Sequence, residues 1–253
     1  MTARGSESLT VVIPVYREAP RIAATIEQVL QFFGRTALSG EVIVVDDGSD
    51  DGTIAVVETA AAADERVKSL ALPSHRGKGA AVREGLLAAA GAAVLVVDAD
   101  LAIPLEEYPA FAEALRKGAD IAIASKELGR RRGLVAQPFV RTAMGRIFNA
   151  VVRVLVLPGF LDTQAGFKLF KGAVAASLAA DCCIDGFAYD VEILSLAVSR
   201  GYNVVELPVR CSLTGATSVR IFSDSLRMLK DLLEIRRRAG PRSRRDNLDA
   251  QTR

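Results

Sequence analysis

Glu41-Val-Ile-Val-Val-Asp-Asp-Gly-Ser49 is a β-branched apolar run that stops abruptly at two carboxylates and a glycine. An uninterrupted run of this kind predicts a strand buried on both faces, the habit of parallel sheets covered by helices. Gly48 permits a tight turn straight after the strand. Working outward, Leu9-Thr-Val-Val-Ile-Pro-Val15, Val67 to Leu72, Ala92 to Val97 and Asp120 to Ala124 read the same way. Helical spacing fills the gaps: Arg21 to Phe33, Thr53 to Ala63, Gly79 to Ala90 and Leu105 to Lys117. Strand and helix in alternation predict an α/β fold, a mostly parallel sheet with helices on both faces. Beyond Ser125 the pattern loosens. Lys126 to Gln137 reads as a basic loop, Val204 to Val209 as a strand, and Phe139 to Leu157, Tyr189 to Ser199 and Ser223 to Arg238 as helices. One domain over residues 9–238 is expected, between a short disordered start (1–8) and a basic disordered tail (239–253).

The bulk properties narrow the function classes. With 253 residues, half of them hydrophobic, the chain is long enough to bury a substantial core. A net charge of only +2 argues against a dedicated nucleic-acid binder. Cys182, Cys183 and Cys211 show neither a disulfide framework nor zinc-site spacing, which fits a reducing cytosol. Met1 to Thr10 has no apolar signal core, and no stretch reaches the ~18 apolar residues of a membrane span. The nearest, Ile147 to Leu161, is broken by Asn149 and Arg153. Arginines 236, 237, 238, 242, 244 and 245 make the end of the chain basic, as a solvated tail or as a contact for anionic lipid.

The polar clusters fall just after strand ends, which is the ligand-binding edge of an open α/β sheet. Tyr16 and Glu18, Asp46 and Asp47, the stretch His75 to Lys78, and Asp98 with Asp100 all arrive there. Asp98-Ala-Asp100 offers two hard carboxylates suited to a divalent cation and the diphosphate it bridges. Asp46 and Asp47 can accept hydrogen bonds from a base or ribose, whereas Asp50 to Thr53 suits a turn and helix cap. Arg76-Gly-Lys-Gly79 sets cations beside flexible backbone at a helix start, a phosphate-binding arrangement that an ordinary surface turn also resembles. His75, the only histidine, reads as a surface loop residue, which leaves no obvious histidine base and no Ser-His-Asp set. No Gly-x-Gly-x-x-Gly follows the first strand, which disfavours a dinucleotide oxidoreductase.

Val12-Ile-Pro-Val-Tyr-Arg-Glu18, Val44-Val-Asp-Asp-Gly-Ser49, Arg76-Gly-Lys-Gly79 and Val97-Asp-Ala-Asp-Leu101, in this order, resemble family 2 glycosyltransferases of the GT-A fold. Asp162-Thr-Gln-Ala-Gly-Phe-Lys-Leu-Phe170, Gly186-Phe-Ala-Tyr-Asp-Val-Glu192 and Asp224 to Asp231 are similar to the dolichyl-phosphate β-glucosyltransferase branch, close to polyprenyl-phosphate mannose synthases. The resemblance spans roughly Leu9 to Arg238. It implies a GT-A domain, Rossmann-like, with C-terminal amphipathic helices. Where mannose synthases often carry glutamine this chain has Ala102, and where relatives show Gly-Ser-Lys it reads Gly215 to Arg220.

The implied activity is inverting transfer of a hexose from UDP-glucose or GDP-mannose to a polyprenyl phosphate, with Mg2+ or Mn2+. By the resemblance, Pro14, Tyr16, Glu18 and Asp47 hold the base and ribose, and Asp46 stands with them as a hydrogen-bond acceptor. The resemblance gives Asp98 and Asp100 to the diphosphate, with the metal on Asp100, while Ala99, Lys78, Lys126 and Arg210 or Arg220 are further candidates on the donor side, Lys126 being a candidate for the acceptor phosphate as well. Arg130, Arg131, Gln164 and Lys168 are candidates for the acceptor, and Asp162 for a base if the acceptor is a hydroxyl. A lipid acceptor implies peripheral contact at the cytoplasmic membrane face, through 139–157 and 223–238, with a separate membrane partner protein as a further expectation. Two alternatives stand beside it: a soluble transferase with a small phosphorylated or hydroxylated acceptor, and a non-catalytic nucleotide-sugar-binding module.

Overall fold

The computed structural model describes residues 8–36, 38–135, 149–211 and 230–238. Arg220, Ala37, the N-terminal 1–7, the segments 136–148 and 212–229, and the tail 239–253 lie outside the described residues. Helix and strand alternate through the first half as the apolar pattern demands: β1 (Ser8–Val15), α1 (Ile22–Arg35), β2 (Ser39–Asp46), α2 (Thr53–Ala63), β3 (Val67–Ala71), α3 (Lys78–Ala88) and β4 (Ala93–Val97). There follow α4 (Tyr108–Arg116), entered through a 3-10 turn at Leu105–Glu107, β5 (Ile121–Ser125) and α5 (Lys126–Arg131). A helix at 149–155 (α6), β6 (Phe167–Lys171), α7 (Gly172–Ala179), α8 (Tyr189–Ser199), β7 (Val204–Pro208) and a helix at 230–238 (α9) complete the described chain.

The seven strands lie in the order β3-β2-β1-β4-β6-β5-β7. All neighbouring pairs are parallel except those of β6, which runs antiparallel to both β4 and β5. The strand alternation sends side chains to two separate cores. Val11, Ile13, Val42 and Val44 meet Ile22, Ile26, Val29 and Phe33 of α1 on one face. Val12, Ile43, Val94 and Val96 meet Val82 and Leu86 of α3, with Val191 and Leu194 of α8, on the other. Burying each such aliphatic side chain contributes about 1.5–3 kcal/mol.

Three elements depart from the pattern reading. The basic stretch after Ser125 is helical over Lys126–Arg131, because the Ser125 hydroxyl caps it by accepting from the Leu128 N–H. Its Gly129 passes the Val209 carbonyl so closely that a Cβ would stand 2.2 Å from that oxygen. β6 was read as a motif and not as a strand, since Lys168 and Lys171 interrupt its apolar run. In the helix 230–238 the buried positions are Leu232 and Ile235, while Leu233 is 54% exposed. Ser8 already belongs to β1, pairing with Ser39.

Candidate active site

β1, β2, β4 and β6 bring the polar clusters together at one edge of the sheet. Thr25 of α1 donates to the Ala99 carbonyl (2.6 Å) and so ties the Asp98–Asp100 turn to the body of the domain. Within that turn the Leu101 N–H donates to the Asp98 carbonyl (3.0 Å), and Leu101 adopts a left-handed φ of 44°. Such a φ is costly for a branched residue and is tolerated where surroundings impose it, as at functional turns. The Ala102 N–H donates to Asp100 Oδ1 (3.1 Å).

Asp98 is the hub. Lys78 Nζ stands 2.5 Å from Asp98 Oδ1, and Lys78 also lies over the Tyr189 ring at 5.9 Å. Burial alone would push the Asp98 carboxyl up, but the ammonium groups of Lys78, Lys126 and Lys168 outweigh it and hold the carboxyl below its usual range. Burial likewise pushes Lys78 down, and the charges of Asp98, Asp190 and Asp100 reverse this, leaving it above its ordinary value. Both partners therefore stay charged at neutral pH. Against the other side of Asp98 lies Gly166, where an added Cβ would fall 1.8 Å from the Asp98 Oδ2. A side chain at this position would push the Asp98 carboxylate aside.

Beneath this pair is a second one. Lys168 of β6 reaches Asp190 at 2.5 Å and donates to the Ala165 carbonyl at 2.8 Å, with 2% of Lys168 exposed. Lys168 was expected to grip an acceptor phosphate. Its side chain instead points to the α3–α8 face with Phe170 and is spent on Asp190, so its charge acts on the site from below. Burial raises the Asp190 carboxyl in spite of Lys168 and Lys78. Burial, the charges of Asp190 and Asp98, and a hydrogen bond to Asp190 raise the Tyr189 hydroxyl.

On the β1–β2 side, Asp47 is 2% exposed and accepts from the Arg76 and Gly77 N–H groups, both at 2.8 Å, while His75 Nδ1 lies 2.8 Å from its Oδ2. Asp46 accepts from both the hydroxyl and the N–H of Ser49, which closes the turn. These two carboxylates, expected at the ligand, thus also hold the loops that form the rim. Tyr16 stacks on His75, and Pro14 is buried within β1. Glu18 pairs with Arg21 at 2.7 Å. Burial raises its carboxyl, Arg21 opposes this, and the charges of Asp100, Asp51 and Asp98 add to the rise. Carboxylates therefore crowd the region around Asp100.

The helix start at Gly77–Lys78 differs from expectation. The Gly79 and Ala80 N–H groups donate to the Asp185 carbonyl at 2.7 and 3.2 Å, so these backbone donors are already capped. Lys78 alone, rather than the helix end, is turned toward Asp98. Arg76 and Arg83 clamp the Asp185 carboxylate at 3.1 and 2.7 Å.

On the acceptor side, Asp162 Oδ2 accepts from the Lys126 N–H (3.0 Å), and Oδ1 accepts from the Gln164 N–H (3.2 Å). Glu206 of β7 in turn accepts from the Leu161 and Asp162 N–H groups, both at 2.9 Å. Arg130 and Arg131 pair with Glu127 on α5, and Arg210 pairs with Glu107 at 2.6 Å. Arg210 thus stands with Glu107, and the residues expected at the diphosphate that lie together are Lys78, Lys126, Asp98 and Asp100.

Sequence reasoning assigned no role to Asp190, Tyr189, Asp185, Gly166 or Glu206. Asp190 and Tyr189 lie within the quoted stretch Gly186 to Glu192. The partnership of Asp190 with a lysine more than twenty positions away carries no local signal.

The residues at this edge fit a divalent cation: Asp98 and Asp100 supply hard oxygen donors on one turn, amid crowded negative charge. Among the described residues no group of three or more His, Cys, Asp or Glu side chains forms a complete metal cage, which leaves ligands to come from substrate phosphates, as is usual for Mg2+.

The model of the family "Glycosyl transferase family 2" matches residues 10–147. Over 243 residues the chain is 33% identical to a dolichyl-phosphate beta-glucosyltransferase of Drosophila melanogaster, covering 91% of this chain and 74% of that protein. The protein of the same name from Homo sapiens is 30% identical over 250 residues, covering 92% and 76%. Among solved structures, glucosyl-3-phosphoglycerate synthase from Mycobacterium tuberculosis, in complex with Mn2+, UDP-glucose and glycerol 3-phosphate, superimposes with a TM-score of 0.66 at 19% identity. That match covers 92% of this chain and 81% of the other, and it establishes a shared fold.

Proposed function

Since this chain belongs to glycosyl transferase family 2, we propose that it transfers glucose from UDP-glucose to a polyprenyl phosphate, with inversion at the anomeric carbon. The observation that carries this reading is the Lys78–Asp98 pair beside Asp100 at the carboxyl edge of β4, in a chain similar along nine-tenths of its length to glucosyltransferases named for a lipid phosphate.

In this reading Tyr16, Glu18 and Asp47, next to Pro14, take the base and ribose. Asp100, with Asp98, would hold Mg2+ or Mn2+, which when bound neutralises charge on the departing diphosphate. Lys78 and Lys126 bring positive charge to the same diphosphate, with Arg210 or Arg220 as the candidate further cation. A lipid monophosphate is already largely ionised near neutral pH, because its second pKa lies near ~6. It needs positioning more than deprotonation, and Arg130, Arg131 and Gln164 are placed in this role. Asp162, held by backbone N–H groups, keeps the acceptor loop in register.

Among the described residues no helix is long and apolar enough to cross a membrane. Peripheral membrane contact is supported by Val154, 71% exposed, and by Leu233, 54% exposed, the latter on a helix with exposed Lys230, Arg236 and Arg237.

The test is incubation with Mg2+ or Mn2+, polyprenyl phosphate and labelled UDP-glucose or GDP-mannose in parallel. Label from UDP-glucose should enter the organic phase, and this transfer should vanish in Asp100→Ala. Label from GDP-mannose alone would replace the donor. Release of free sugar with no lipid product would point to a soluble acceptor.

A further inference from the structure

The Tyr16 ring is covered. His75 stacks on it with ring centroids 3.8 Å apart and planes within 20° of parallel, and the same imidazole places Nδ1 2.8 Å from Asp47 Oδ2. A flat nitrogen heterocycle that stacks on an aromatic ring and hydrogen-bonds a carboxylate is the chemical description of a bound nucleobase. It stands on the two side chains assigned above to the donor's base.

We propose that His75 is an internal stand-in for that base, which the donor must displace, so that the imidazole sets donor affinity. The inference rests on the assignment of Tyr16 and Asp47 to the base.

The surroundings make the exchange a side-chain movement. The backbone on either side of His75 is fixed, because the Arg76 and Gly77 N–H groups donate to Asp47. Gly48 packs so closely on Ser74 and His75 that a Cβ there would stand 2.5 Å from the Ser74 carbonyl carbon. The imidazole is different: it is 51% exposed, and among the described residues its partners are Tyr16 and Asp47. Rotation about its side-chain bonds releases both contacts together. Asp47 then keeps the two backbone donors that position it and regains acceptor capacity on Oδ2. The Tyr16 ring keeps Arg17, whose guanidinium carbon lies 5.2 Å from its centroid.

The chain contains one histidine, so tag-free protein gives a single imidazole signal in proton–carbon NMR. Before any nucleotide is added, Tyr16→Leu should move that signal by removing the ring current. Titration of the unmodified protein with UDP or GDP and Mg2+ should shift the signal toward its Tyr16→Leu position. In calorimetry, His75→Ala should bind the recognised nucleotide about 2- to 10-fold more tightly, the range expected for losing one competing aromatic contact. His75→Phe, which stacks without reaching Asp47, should lie between the two.

Equal or weaker nucleotide binding by His75→Ala would overturn the proposal while leaving the donor site intact. An imidazole signal unmoved at saturating nucleotide would do the same. Failure of both UDP and GDP to bind either protein would instead remove the base assignment on which the proposal rests.

Discussion

Two lysine–aspartate pairs lie close together under the same sheet edge, each with a nitrogen–oxygen distance of 2.5 Å. They differ in access. The side chains of Lys78 and Asp98 are 23% and 33% exposed, whereas those of Lys168 and Asp190 are 3% and 5% exposed. A pair partly open to water can trade its partner for a ligand at lower cost. A pair sealed from water cannot be broken without leaving an unpaired charge in a poor solvent. The same chemistry is therefore a binding device in one place and a fixed support in the other, and the lysine of the support adds to the charges that hold Asp98 ionised.

The comparison can be broken most severely at Asp98. Asp98→Asn should reduce sugar transfer about 10²- to 10³-fold, the scale of losing one charge-stabilising group, with thermal stability little changed. A large drop in melting temperature would mean that the open pair is structural after all. At the sealed pair the order reverses: Lys168→Met should cost about 3–5 kcal/mol of stability, measured by denaturant titration. The double substitution Lys168→Met with Asp190→Leu should recover most of this, because no orphaned charge remains.

Gly166→Ala sharpens the boundary between the two regions. The atom in its way is the end of the flexible Asp98 side chain, so the fold should lose only about 1 kcal/mol. Transfer should fall about tenfold or more, because the displaced carboxylate is the one facing the donor. The smallest effect is expected at α5. Arg131→Ala, on a side chain 59% exposed, should raise the lipid-phosphate KM a few-fold and leave UDP binding unchanged.

The two pairs were not equally legible in the sequence. Asp98 announces itself by following an apolar strand, and Lys78 by its glycines. β1, β2 and β4 are equally plain, since strands buried on both faces leave continuous apolar runs. β6 was hidden because its alternation carries Lys168 where a buried residue belongs, and only the distant Asp190 makes that lysine acceptable there. The α5 helix was hidden because six residues with a glycine and two arginines show no apolar stripe, and it depends on the Ser125 cap. The capping of α3 by the Asp185 carbonyl had no sequence signal at all, being a backbone contact across about a hundred residues. Apart from α5, what failed to appear in the sequence is what long-range pairing created.

The most direct test of the account is paired calorimetry and thermal melting of Lys78→Met and Lys168→Met, with UDP and Mn2+ as the probe. The account predicts that Lys78→Met melts near the unmodified protein yet binds UDP at least about tenfold more weakly, while Lys168→Met melts much lower and, when folded, loses less affinity. Undiminished UDP binding by Lys78→Met, or a melting temperature of Lys168→Met equal to that of the unmodified protein, would contradict it.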